Sequence, residues 1–246
     1  MKHCAFITNR EVLEMATYVM SDIHGESSRF QEILEDIRFS SDDVLYIIGD
    51  VIDRGNDGIL LLQEIMNQPN MKLILGNHEL MFLAATESNA SALKVHSWIW
   101  NGGDSTLKAF QMLDTEEQTK IRHFLERCPD HASVTVNGID HYYLVHGWLG
   151  CSTYERCWKH PPYGINSKNP LTGRRIIVGH TVTLRLYTEN PIEQRYCIER
   201  MQDDNEHLRI SRTADFIAID CGCGHFNIPV RRLACLRLDD GKVFYA

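Results

Sequence analysis

The sequence predicts an α/β fold: two packed mixed β-sheets with helices outside, folded as one domain over 1–246. Three observations carry this. In the first third, short β-rich runs alternate with helix-period segments, as in βαβ units. The middle is mainly helical in pattern. The second half turns β-rich, with hairpin and turn signals.

The elements follow in order. Tyr18-Val19-Met20 is the first strand, running into Ser21-Asp22-Ile23-His24-Gly25. Ser27-Ser28 can cap a helix in which Phe30, Ile33, Leu34 and Ile37 fall at i, i+3, i+4 and i+7, one apolar face. That helix returns the chain to a strand at 44–48, so the two strands are parallel. This strand runs into Gly49-Asp50-Val51-Ile52-Asp53-Arg54-Gly55. Asp57 then caps a helix carrying Leu60, Leu61, Leu62, Ile65 and Met66, which Pro69 ends. The third strand, at 72–75, meets Gly76-Asn77-His78-Glu79.

From Glu79 to Cys128 the pattern is helical. Gly102-Gly103 breaks it, Thr115-Glu116-Glu117-Gln118 matches a capping box, and Cys128-Pro129 stops it. Trp98 and Trp100 read as helix packing. Asn137-Gly138, between Val134-Thr135-Val136 and Tyr142-Tyr143-Leu144-Val145, is a hairpin signal. The second of these runs meets His146-Gly147, and Ile176-Ile177-Val178 meets Gly179-His180-Thr181. Residues 150–174, rich in Pro and Gly, read as a surface loop beside the site, and 200–213 as exposed. Strands follow at 215–220, 233–238 and 242–245, with Asp239-Asp240-Gly241 a turn.

Composition narrows the function classes. A net charge of -8 leaves no whole-chain basic footprint for nucleic acid. No apolar stretch approaches a membrane span. Arg10, Glu11 and Glu14 interrupt any signal-peptide core, so the expected compartment is the cytoplasm. The eight cysteines then read as reduced, buried thiols. A structural zinc on Cys221, Cys223 and one of Cys151 or Cys157 is the alternative.

Five apolar runs, far apart in sequence, thus end on metal-ligand residue types. In α/β folds ligands gather at the carboxyl ends of strands. The runs therefore point Asp22, His24, Asp50, Asn77, His146 and His180 at one spot. Such oxygen and nitrogen donors suit Mn, Fe or Zn better than a thiolate-bound ion.

The ordered set Asp22-x-His24, Gly49-Asp50-x-x-Asp53-Arg54-Gly55, Gly76-Asn77-His78-Glu79, His146 and Gly179-His180 resembles the calcineurin-like metallophosphoesterase superfamily. The Asp-Arg-Gly and Asn-His-Glu forms are similar to the phosphoprotein phosphatase family, in particular its bacterial and phage lambda-type serine/threonine protein phosphatases. The likeness runs from about Met20 to Gly224 and includes Ile219-Asp220-Cys221-Gly222. It implies a four-layer α-β-β-α sandwich. It also implies two divalent metal ions, manganese first, with iron, zinc or nickel as alternatives. Asp22 and His24 would hold one, Asn77, His146 and His180 the other, and Asp50 would bridge them. Two cations about 3.5–4 Å apart can hold a shared hydroxide for in-line attack on phosphorus.

By the same resemblance His78 is the general acid, oriented by Asp53, and Arg54 meets phosphate oxygens with its planar fork. Glu79 reads as structural. Lambda-type enzymes carry a second phosphate-gripping arginine two residues beyond a Trp. Here Cys157-Trp158-Lys159-His160 puts His160 there, with Arg156, Arg174 or Arg175 as substitutes. A histidine in that role grips phosphate when protonated, so KM should rise above neutral pH.

The implied activity is a metal-dependent phosphomonoesterase acting on phosphoproteins or small phosphate esters, with neither nucleic acid nor membrane as partner. Symmetrical diadenosine tetraphosphate hydrolysis is the alternative. Relatives with that activity commonly carry Ala at the position of Asp53. A third reading, a non-catalytic scaffold, conflicts with the intact ligand set.

Overall fold

Alternating apolar runs and helix-period segments give, in order, β1 (Thr17–Met20), α1 (Ser27–Asp36), β2 (Val44–Ile48), α2 (Gly58–Asn67) and β3 (Met71–Ile74). Helices α3 (Asn77–Ala85) and α4 (Ala92–Trp98) follow. A π-turn (Ile99–Gly103) leads to α5 (Asp104–Gln111) and α6 (Thr115–Arg127). The rest comprises β4 (His131–Val136), β5 (Asp140–Val145), α7 (Thr153–Trp158), β6 (Arg175–Val178) and a 3₁₀ turn (Thr183–Leu186). Strands β7 (Ser211–Arg212), β8 (Phe216–Ala218), β9 (Ala234–Arg237) and β10 (Val243–Tyr245) complete the chain. The structure is a computed structural model describing residues 15–162, 171–186, 208–213, 216–228 and 230–246. The N-terminal segment, Cys4, Cys197, and parts of the stretches 150–174 and 200–213 lie outside the described residues.

Two mixed five-stranded sheets result, in the orders β10-β9-β1-β2-β3 and β4-β5-β6-β8-β7. In the first, β1, β2 and β3 are parallel, as the α1 and α2 crossovers require. In the second, β5, β6 and β8 are parallel. The hairpin joining β4 to β5 turns at Asn137 and Gly138, with φ of 54° and 72°. Those left-handed values match the twist of the flanking strands.

Side-chain alternation divides the core. Val19, Ile48 and Ile74 of the first sheet meet Leu144, Ile177 and Ile217 of the second. Tyr18, Met20, Leu45 and Ile47 point the other way, onto Phe30, Ile33, Leu61 and Leu62 of the helices. The outer face of the second sheet, with Val145, Ile176 and Val178, is covered by Trp148, Leu149, Leu171 and Leu186. Among the described residues no helix is long and apolar enough to cross a membrane.

Several local expectations need correction. The capping box of α6 starts one residue early: Asp114 accepts from Glu117 N at 2.8 Å, and its anion faces the positive end of the helix. Glu26, not Ser27 or Ser28, precedes α1, because the Ser27 hydroxyl donates to Asp57 instead. Asp57 stands at the N-cap of α2, as expected, but its side chain makes no capping bond there. Leu60 and Trp100 are exposed rather than packed. Residues 153–158 form a helix inside the expected loop.

Candidate metal centre

The carboxyl ends of the parallel strands from both sheets open onto one place. Asp22 and His24 follow β1, Asp50 follows β2, Asn77 opens α3 after β3, His146 follows β5 and His180 follows β6. Reaching that place bends the backbone. Of eight non-glycine residues with positive φ among those described, six are Asp22, His24, Asp50, Asp53, Arg54 and His180. Such conformations cost about 1–3 kcal/mol each and persist where surroundings over-determine them. Gly49 (φ 86°) has no substitute, since a Cβ there would lie 2.6 Å from His146 Nδ1.

Asp50 stands at the centre. Its Oδ1 accepts the His78 backbone N–H at 3.0 Å, from the first turn of α3. Its Oδ2 lies 3.3 Å from His146 Nε2, 3.7 Å from His24 Nε2 and 3.9 Å from His78 Nε2. Two groups of ligand atoms lie within 4.8 Å of one another and share this carboxylate: His24, Asp50 and His78, and Asp50, His146 and His180. Asn77 Oδ1 is 2.9 Å from His146 Nε2. Asp22 borders these groups; its Oδ2 accepts from the Ser21 hydroxyl and from His180 N.

The donors suit a cation. His24 Nδ1–H donates to Ile52 O at 3.0 Å, and His146 Nδ1–H to Ile48 O at 2.8 Å. Each bond turns the lone pair of Nε2 inward. His24 Nε2 is buried with no hydrogen-bond partner, an orphan that a bound ion would satisfy.

The charge balance points the same way. Burial raises Asp22 well above the carboxylate range, and the Asp220 charge adds to this. Burial also disfavours the Asp50 anion, but the charges of His146 and His78 outweigh it and hold its carboxyl well below that range. Burial would lower His146, yet Asp50 lifts it to about 10. Burial and the His146 charge push His180 down to about 3. Buried anions facing a shared space draw a proton or a cation, and a cation would displace protons.

His78 is set apart from the other histidines. Its Nδ1–H donates to Asp53 Oδ2 at 2.7 Å, and its Nε2 lies 3.2 Å from an Arg54 guanidinium nitrogen. Glu79 is structural: it accepts from the backbone N–H groups of Asp50, Val51 and Gly76 at 2.8–2.9 Å. His160 stacks on His180, with centroids 4.8 Å apart, and its Nδ1 meets Thr181 Oγ1 at 2.8 Å. Burial and the Arg185 charge lower its pKa.

The arginines offered as substitutes point elsewhere. Arg156 is tied to Asp130 and to Gly150 O, Arg174 donates to Ser133, and Arg175 opens β6 at the end opposite His180. Sequence reasoning passed over Asp220, buried beside Asp22, and His225, which burial and the Arg54 charge push down to about 4. It also passed over Trp98 as a partner of Asp53. Among the described residues no group of three close metal-ligating atoms includes a cysteine. Burial raises Cys128 and Cys223 to about 12, so these thiols stay protonated.

Residues 15–205 match the calcineurin-like phosphoesterase family. Among curated proteins, serine/threonine-protein phosphatase 2 of Escherichia coli (strain K12) is 36% identical over 140 residues, covering 56% of this chain and 60% of that protein. The symmetrical bis(5'-nucleosyl)-tetraphosphatase of Haemophilus ducreyi is 40% identical over 72 residues, covering 28% and 27%. The chain thus spans less than two thirds of either relative. A solved serine/threonine phosphatase from Saccharomyces cerevisiae shares the fold with a TM-score of 0.55, at 13% identity, over 97% of this chain and 81% of that one.

Proposed function

Because the chain belongs to the calcineurin-like phosphoesterase family, we propose that it is a metal-dependent phosphoric ester hydrolase acting on phosphoserine and phosphothreonine. The observation that carries the reading is the His78–Asp53 pair, at 2.7 Å, beside the Arg54 guanidinium and the Asp50-centred cluster. Asp22, His24, Asp50, Asn77, His146 and His180 would hold two divalent ions, manganese first. Bound there, the ions would supply Lewis acidity that activates water near neutral pH and offsets phosphoryl charge.

The chain's own residues do the rest. The planar fork of Arg54 would donate to two phosphoryl oxygens and fix the ester's orientation. That places the bridging oxygen near His78 Nε2, which lies 3.2 Å from the same guanidinium. Asp53 holds the other ring nitrogen and keeps the imidazole aimed. His78 then hands its Nε2 proton to the leaving alkoxide, the step that limits esters of poor leaving groups. His160, stacked on His180, borders the space that a second phosphoryl oxygen or its neighbour would fill. We set this chemistry in the cytoplasm, where the six unpaired thiols of the described residues stay reduced.

A second reading, hydrolysis of symmetrical dinucleoside tetraphosphates, draws on the Haemophilus ducreyi relative. Asp53 favours the first, since an acid oriented by a carboxylate matters most for alkoxide leaving groups. Phosphopeptide and diadenosine tetraphosphate, offered side by side to manganese-loaded protein, decide between them by product analysis. His78→Asn should lose rate most on the phosphopeptide and least on an activated aryl phosphate. Equal loss on both would remove His78 as the acid.

A further inference from the structure

The turn Asp53-Arg54-Gly55 is bent against the preference of its own residues, with φ of 71° at Asp53 and 67° at Arg54. Left-handed backbone costs a non-glycine residue about 1–2 kcal/mol, so neighbours must hold it. Four of the holding bonds come from one insert, α4 through α5. Asp53 N donates to Thr106 Oγ1 at 2.9 Å, and Arg54 N to Gly102 O at 2.8 Å. The Ser105 hydroxyl donates to Gly55 O at 2.7 Å, and Trp98 Nε1–H to Asp53 Oδ2 at 2.7 Å.

The last bond falls on a loaded atom. Asp53 Oδ2 receives both the Trp98 indole and His78 Nδ1–H, each at 2.7 Å, while Oδ1 is buried with no partner. The carboxylate therefore has both side-chain donors on one oxygen and none on the other. Without the indole it can swivel and present either oxygen to His78. The indole itself is fixed. Trp98 is fully buried and meets Phe82 edge-on, with centroids 5.6 Å apart. It closes against Gly103, where a Cβ would lie 2.4 Å from Nε1. Trp100, two residues on, is 83% exposed and has no such role.

We propose that Trp98 is a positioning residue for proton transfer: its indole N–H fixes the Asp53 carboxylate, and through it the orientation of His78. The inference rests on the reading of this site as a phosphoric ester hydrolase. Water oxygen bonds to phosphorus, and the spare water proton leaves to solvent. The P–O ester bond breaks with its electron pair on the leaving oxygen, which takes the His78 Nε2 proton. A misaimed imidazole slows that transfer without weakening substrate binding, because Arg54 keeps its backbone bond to Gly102.

The test is Trp98→Phe, which keeps a ring and removes the donor. On manganese-loaded protein kcat should fall about ten- to a hundredfold on an alkyl phosphate and less than about threefold on p-nitrophenyl phosphate, with KM nearly unchanged. A merely structural loss would lower both rates alike, and that result would overturn the proposal. Nitrogen-15 NMR of the zinc-loaded full chain gives a readout without turnover. The His78 ring resonances should shift in Trp98→Phe, and unshifted resonances would also overturn it. If the unsubstituted protein hydrolyses no phosphate ester, the functional reading fails, and the ring resonances alone decide the positioning claim. Should Trp98→Phe not fold, the Trp98 indole N–H is compared between the unsubstituted protein and Asp53→Asn. Loss of the anion should speed its hydrogen exchange about tenfold or more; an unchanged rate counts against the proposal.

Discussion

Glu79 is the residue on which the strand ends depend. Its carboxylate is fully buried and takes three backbone N–H groups, one at each of Asp50, Val51 and Gly76. Burial raises its pKa, and the Asp50 charge adds to that, so the anion is held at some cost. Glu79→Ala should lower stability by about 3 kcal/mol or more, since each buried donor left unpaired costs about 1–3 kcal/mol. A urea midpoint unchanged in that variant would contradict the accounting. Arg38 makes the opposite prediction. It follows the last turn of α1 with φ 51°, exposed to solvent, at a position that glycine favours. Arg38→Gly should raise stability by about 0.5–1 kcal/mol, the relief of left-handed strain less the entropy glycine adds to the unfolded chain. The strained candidate ligand residues were legible by type alone. Asp22, Asp50 and His180 stand at the ends of apolar runs, but no sequence pattern announces a positive φ at an aspartate or histidine.

Elements differ in how plainly the sequence declares them. Strands β2 and β6 are apolar runs closed directly by Gly49 and Gly179, and β1 and β5 carry apolar runs that meet Ser21 and His146, so all four are plain in the sequence. Helix α7 is only six residues long and sits in a Pro- and Gly-rich stretch, too short for a period to register. Its signal was Ser152, which accepts from Glu155 N at 3.2 Å, three residues before an acidic side chain. The bond between Trp98 and Asp53 spans 45 residues and left no local trace. What holds α7 is Asp130, just ahead of β4. It accepts from Arg156 at 2.6 Å and from the Thr153 hydroxyl. Burial would raise Asp130, but the hydrogen bonds from Arg156, Thr153 and His131 outweigh it and hold its carboxyl well below the usual range. A depressed carboxylate stabilises the fold above its unfolded pKa of about 4 and loses that contribution as pH falls through the folded value. The Tm advantage of the native protein over Asp130→Asn should therefore be full at pH 6 and shrink below about pH 4. An advantage independent of pH would mean that shape, not charge, anchors α7.

At the scale of the whole molecule, the candidate metal centre lies where the two sheets meet. β1, β2 and β3 deliver Asp22, His24, Asp50 and Asn77 from one sheet, and β5 and β6 deliver His146 and His180 from the other. The apolar contact of Val19 and Ile48 with Leu144 and Ile177 presses the sheets together behind it. In front of that contact stand buried groups whose charges are imperfectly matched, with His24 Nε2 unpartnered. A divalent ion bound there would tie one sheet to the other and would be lost on unfolding. Ion binding to the folded state alone adds about 2.7 kcal/mol of stability when the free ion is at a hundred times Kd. Manganese added to chelator-treated protein should therefore raise Tm by several degrees, in proportion to the logarithm of ion concentration at saturation. Asp50→Asn should remove most of that rise, because its carboxylate is common to both ligand groups. Asp239→Asn offers the control: that carboxylate accepts from Thr17 N at the start of β1, away from the ligand groups. Its variant should begin from a lower Tm and keep the full rise. If neither manganese, iron, zinc nor nickel moves the native transition, the six donors do not form an ion site, and the hydrolytic reading falls with them.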